Sequence, residues 1–76
     1  MDIYSKVVEI ISSQLRVDPD NITESSAIVE DLGADSLDAV ELSLAVEEKT
    51  GITIDEDAMA EIKTVADIVN YLEAHK

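Results

Sequence analysis

The 76-residue chain has no cysteine, phenylalanine or tryptophan, and only two glycines and one proline. Without cysteine it has neither a disulfide framework nor a thiolate metal site, a composition suited to a reducing compartment. Gly33 and Gly51 are too few and too far apart for a glycine-rich loop around a nucleotide. The start, Met1-Asp2-Ile3-Tyr4-Ser5-Lys6, lacks the basic segment and apolar run of a secretory signal. No apolar stretch approaches the ~20 residues of a membrane span, so the expected location is cytoplasmic. Basic residues are scarce too: five Lys and Arg face 18 Asp and Glu, a formal net charge of −13. Such a surface repels nucleic-acid phosphates and anionic membranes. It keeps a small protein soluble, and it favours partners that present Lys and Arg, with association weakened by salt.

What is present is apolar residues, 46% of the chain, in periodic segments, which argues against disorder. One small domain spanning residues 1–76 is expected, with marginal stability at this size. Ile3, Val7, Ile10, Ile11 and Leu15 recur at helical spacing and predict a helix over about 3–16, broken at Val17-Asp18-Pro19. A long connection then runs to about Asp35, where Ile22, Ile28, Val29 and Leu32 are expected to pin it to the core. Asp35 is a good N-cap for a second helix that runs to about Thr50, with Asp38 three residues on. Gly51 suits the left-handed residue that ends it. Ile52-Thr53-Ile54 reads as an extended loop, because no other strand is available to pair with it. A short helix near Glu56–Ile62 follows. Thr64 with Asp67 resembles a capping box opening a last helix whose apolar face is Val65, Ile68, Val69 and Leu72. The expected fold is all-α: a small four-helix bundle of three longer helices and one short one, with a long loop between the first two.

Catalysis is poorly served. The lone histidine, His75, is next to last and is expected to be frayed and solvated, away from any serine. Glu47 with Glu48, or Asp55 with Asp57, reads more simply as a solvated acidic face than as an acid–base pair. A calcium loop starting at Asp18 fails, since Ile22 falls where an oxygen ligand belongs and Thr23 where glycine belongs. No metal site is expected.

The second helix has one apolar stripe too many. At about 100° per residue, Ala39, Leu42, Ala45 and Val46 form a core stripe. Leu37, Val40 and Leu44 lie nearly opposite, among Glu41, Glu47 and Glu48. A domain this small buries one such side, so an exposed apolar patch rimmed by carboxylates is expected, the pattern of a docking surface. The competing reading has Leu37 or Leu44 packed under the long loop. Ser36 sits at the start of this helix among free amides, where the dipole favours an attached phosphate.

The run Val29-Glu30-Asp31-Leu32-Gly33-Ala34-Asp35-Ser36-Leu37-Asp38-Ala39-Val40-Glu41-Leu42 resembles the attachment-site signature of acyl carrier proteins. The first helix ending before Val17-Asp18, the Glu47-Glu48 pair and Ile62-Lys63-Thr64-Val65 fit the same family. The resemblance implies that a separate phosphopantetheinyl transferase attaches 4′-phosphopantetheine from coenzyme A to Ser36, with Asp35 assisting and Leu37 beside it. It implies a non-catalytic monomeric carrier of acyl thioesters in fatty-acid biosynthesis. Leu37, Asp38, Val40, Glu41, Leu44, Glu47 and Glu48 would dock on basic patches of the synthesis enzymes. Val46, Ile54, Met59, Ile62 and Ala66 would line an acyl pocket, or simply pack the core. Thr50, Asp55 and Ser43 depart from the usual pattern of an aromatic, a proline and a larger apolar residue. Alternatives are a carrier for polyketide, lipid or aminoacyl chemistry, an acidic binding module without a prosthetic group, and a hydrolase using Ser36.

Overall fold

The structure is a computed structural model that describes residues 2–76. Four helices follow one another: α1 (Ile3–Leu15), α2 (Ser36–Thr50), α3 (Glu56–Glu61) and α4 (Val65–His75), with a single 3-10 turn at Pro19–Asn21. No strand forms among the described residues, only an isolated bridge between Ala27 and Thr64. Helix α1 packs against both α2 and α4. Val7 and Ile11 of α1, Leu42 and Val46 of α2, and Val65, Ile68 and Leu72 of α4 are essentially inaccessible to water.

Local chemistry accounts for the helix ends. The Asp2 carboxylate accepts the Ser5 amide at 2.7 Å and opens α1. That bond holds the Asp2 carboxyl below the ordinary 3.8. The predicted end near residue 16 is one residue late. Arg16 leaves the helix in the left-handed region, at φ 56°, with its amide donating to the Ser12 carbonyl. The Ser12 hydroxyl donates to the Val17 carbonyl at 2.7 Å and secures the exit. Asp35 and Asp38 form a reciprocal capping box at the start of α2. Gly51, at φ 75°, ends that helix as expected, its amide donating to Glu47 O at 2.7 Å.

Two departures noted in the sequence have local roles. The Thr50 hydroxyl donates to Val46 O at 2.7 Å and accepts from the Ile52 amide at 3.2 Å, turning the chain out of α2. Asp55 is the N-cap of α3, accepting the Ala58 amide at 2.8 Å. Helix α3 ends at Glu61, one residue short of the predicted Ile62, which takes an extended conformation. Thr64 and Asp67 form the anticipated capping box. Asp67 also accepts the Lys63 amide at 2.9 Å, and these backbone bonds hold its carboxyl below the usual value.

The long connection is ordered by backbone bonds. The Ile28 amide donates to Lys63 O at 2.9 Å, and the Val65 and Ala66 amides donate to Ser26 O and Glu24 O. Ile22, Ile28 and Ala34 are buried and Leu32 is half-buried. Val29 does not pin the loop as expected; it is 62% exposed. A tight turn over Ala27–Gly33, closed by Asp31 N to Ala27 O and Gly33 N to Val29 O, leads Ile28 inward. Its neighbour Val29 is turned to solvent.

Candidate functional site

Ser36 is the first residue of α2 and is exposed. Its position is set by the capping box around it: Asp35 Oδ1 accepts the Asp38 amide at 2.9 Å, and Asp38 Oδ2 accepts the Asp35 amide at 3.2 Å. The first two amides of the helix, those of Ser36 and Leu37, precede the intrahelical ladder and point toward the positive end of the dipole. A phosphate ester on Ser36 Oγ is therefore compatible with its surroundings, and solvent exposure leaves room for a long substituent. The two flanking carboxylates are helix caps first.

Among the described residues, no histidine or carboxylate is hydrogen-bonded to the Ser36 hydroxyl. His75, expected to be frayed and solvated, is exposed but remains helical. It is the last residue of α4, its ring stacked on Tyr71 at 4.0 Å between centroids, with Nδ1 2.8 Å from the Tyr71 carbonyl. Those contacts hold it within its own helix. No group of three or more carboxylates or histidines is arranged to hold a metal among the described residues.

The second stripe of α2 lies open. Leu37, Val40 and Leu44 are 67%, 54% and 59% exposed. Neither leucine packs under the loop. Glu41, Glu47 and Glu48 are exposed beside them, and Asp38 is half-buried in its cap. Glu47 is oriented by Thr53, whose hydroxyl donates to its carboxylate at 2.8 Å. Sequence reasoning missed Val29, a fourth exposed apolar side chain, although it opens the same motif.

Two open pockets lie beside this helix. The larger, about 580 Å³, runs between the loop at Ala27–Glu30, Ala39 of α2, and Met59, Ala60 and Ile62 of the α3 region. The smaller, about 220 Å³, is lined by Ala39, Val40, Ser43, Ile54, Glu56 and Met59. Three of the five candidate pocket residues, Ile54, Met59 and Ile62, thus reach a pocket. Val46 does not: it is sealed in the core between helices. Ala66 lines neither pocket, being held in the first turn of α4 with its amide on Glu24 O. Ala39 was assigned to the core stripe, yet it lines both pockets.

Residues 5–72 match a family model described as a phosphopantetheine attachment site. An acyl carrier protein of Wolinella succinogenes is 47% identical over the full length of both chains. The chain belongs to the acyl carrier protein family. Other members include those of Sulfurovum sp., 48% identical over 96% of this chain and 97% of that one, and of Thermotoga maritima, 46% identical over 95% and 89%. A solved structure from Mycobacterium tuberculosis, named as a candidate acyl carrier protein, superposes with a TM-score of 0.88 at 30% identity. It is covered to 97% by 96% of this chain. Acyl carrier proteins bear a covalently attached 4′-phosphopantetheine, carry rather than catalyse, and work with synthesis enzymes. No described helix is long and apolar enough to cross a membrane.

Proposed function

We propose that Ser36 carries the phosphopantetheine and that residues 1–76 act as one cytoplasmic, monomeric carrier domain of fatty-acid biosynthesis. The observation that carries this reading is the placement of an exposed serine at the first position of α2. It stands beside free amides and at the head of an exposed apolar stripe. A separate transferase moves phosphopantetheine from coenzyme A to Ser36 Oγ: the phosphodiester forms as the pyrophosphate bond of coenzyme A breaks, releasing adenosine 3′,5′-bisphosphate and the hydroxyl proton. Asp35 holds the helix start, and Leu37 offers the transferase an adjacent apolar contact. When attached, the arm supplies a terminal thiol on which acyl groups ride as thioesters.

Leu37, Val40 and Leu44 dock on apolar spots of the synthesis enzymes. Asp38, Glu41, Glu47 and Glu48 meet Lys and Arg around them, giving fast, salt-sensitive encounter with modest affinity. Between visits the acyl chain shelters in the pockets lined by Ile54, Met59 and Ile62.

Incubation with coenzyme A, Mg²⁺ and a broad-specificity phosphopantetheinyl transferase tests the attachment. One phosphopantetheine mass is expected on the protein and none on Ser36→Ala. A mass gain that survives Ser36→Ala would place the arm elsewhere, and no gain at all would favour an acidic binding module. Fatty-acyl species of graded length on native protein support the pathway. A polyketide or aminoacyl load would overturn it.

A further inference from the structure

We infer that Met59 is the partition between the two pockets beside α2 and sets the acyl length at which sheltering stops. The inference rests on the shelter reading above and deepens it.

Both pockets lie on one side of the attachment helix. Ala39 and Val40 follow Ser36 by three and four positions, and Ser43 by seven, so all share its face. Ala39 and Met59 line both the larger space of about 580 Å³ and the smaller of about 220 Å³. The boundary therefore consists of a methyl group on one side and a thioether side chain on the other.

The two halves of that boundary differ in how they can move. Ala39 is fixed within the fifteen residues of α2 and has no rotatable side-chain bond beyond its methyl. Met59 is half-buried on α3, a helix of six residues none of which is fully buried. Its unbranched side chain has three rotatable bonds and a polarizable sulfur, so it adapts to irregular space. A helix this short gains little stability of its own.

The smaller pocket also suits a hydrocarbon. Its walls include Val40, Ile54 and Met59, its one charged lining residue, Glu56, is exposed to solvent, and Ser43 contributes no free donor because its hydroxyl is bonded to the Val40 carbonyl at 2.8 Å. The small Ser43 makes the space that Met59 partly closes. An acyl chain that outgrows one pocket meets the Met59 side chain before it reaches the other.

The test is a series of carriers whose Ser36-linked phosphopantetheine thiol bears straight acyl chains of increasing length, from butyryl upward. Cleavage of the thioester by hydroxylamine is followed for each. Each methylene taken into an apolar space multiplies the sheltered-to-free ratio by about four. Cleavage of the parent should slow with each added methylene and then level off. In Met59→Ala the levelling should move to chains at least about two methylenes longer. In Ser43→Leu, which fills the smaller pocket, it should move to shorter chains; Met59→Val, a milder truncation of the same side chain, serves if Met59→Ala does not fold. Levelling at the parent length in the folded variants overturns the role of Met59 while leaving the shelter intact. A parent in which cleavage ignores chain length overturns the shelter reading itself, and this inference with it.

Discussion

Replacing Leu42 and Leu44 separately by alanine distinguishes the two stripes of α2. The residues are two positions apart on one helix, yet Leu42 is 1% exposed and Leu44 is 59% exposed. Truncating a fully buried leucine costs about 2–5 kcal/mol. A chain of this length is stable by roughly 4–11 kcal/mol, so Leu42→Ala should lower Tm by roughly 10 °C or more. Leu44 has left water with less than half of its surface, and alanine is the better helix former. Leu44→Ala should therefore cost under about 1 kcal/mol and move Tm by only a few degrees. Its effect is expected on partner use instead, where an apolar anchor at the centre of an interface contributes roughly 1–2 kcal/mol, or about 5–30-fold. Thermal unfolding by far-UV circular dichroism reads the first quantity, and KM of a synthesis enzyme for the loaded carrier reads the second. Equal destabilisation by the two variants would mean that the second stripe is structural. An unchanged KM for Leu44→Ala would remove the stripe from docking.

Three further outcomes are expected. Glu47→Lys reverses a rim charge and loses the Thr53 bond, so KM for the carrier should rise severalfold at low salt and the gap should narrow as salt is added; equal KM values at low salt would count against charge-guided docking. The depressed Asp67 carboxyl stabilises the fold above its ordinary value of 3.8 and ceases to do so as pH falls through its lower folded value. Below about pH 4, Tm of Asp67→Asn should therefore fall less steeply with acid than that of the parent, and identical slopes would refute the assignment. Arg16→Gly relieves a left-handed residue worth about 1–2 kcal/mol of strain, partly offset by the greater freedom of unfolded glycine; Tm should rise by a few degrees, and a decrease would show that the Arg16 side chain contributes more than its backbone costs.

Features governed by neighbouring residues were legible in the sequence. The Thr64–Asp67 and Asp35–Asp38 boxes and the left-handed Gly51 each follow from residues a few positions apart. The doubled stripe of α2 followed from helical spacing and the small size of the domain. Arg16 was not legible, because nothing local marks an arginine for the left-handed region; the position is imposed by the turn that Ser12 closes. Val29 misled because loop residues have no period, and only the hydrogen bonds of the Ala27–Gly33 turn decide which neighbour faces inward. Val46 and Met59 are both apolar at helical positions. Which of them meets open space depends on where α3 is set beside the bundle, and no spacing rule encodes that.

The backbone ties between the long loop and the start of α4 have a mechanical consequence. Two amides that a helix beginning ordinarily leaves to water, those of Val65 and Ala66, are satisfied by the Ser26 and Glu24 carbonyls. Peeling that segment away would strand donors on a helix whose other face is locked into the hydrophobic interior, so the two swing together or not at all. If an acyl chain occupied the space beside Val29, it would meet a braced wall on the loop side, and any added room would have to come from the six-residue α3 opposite.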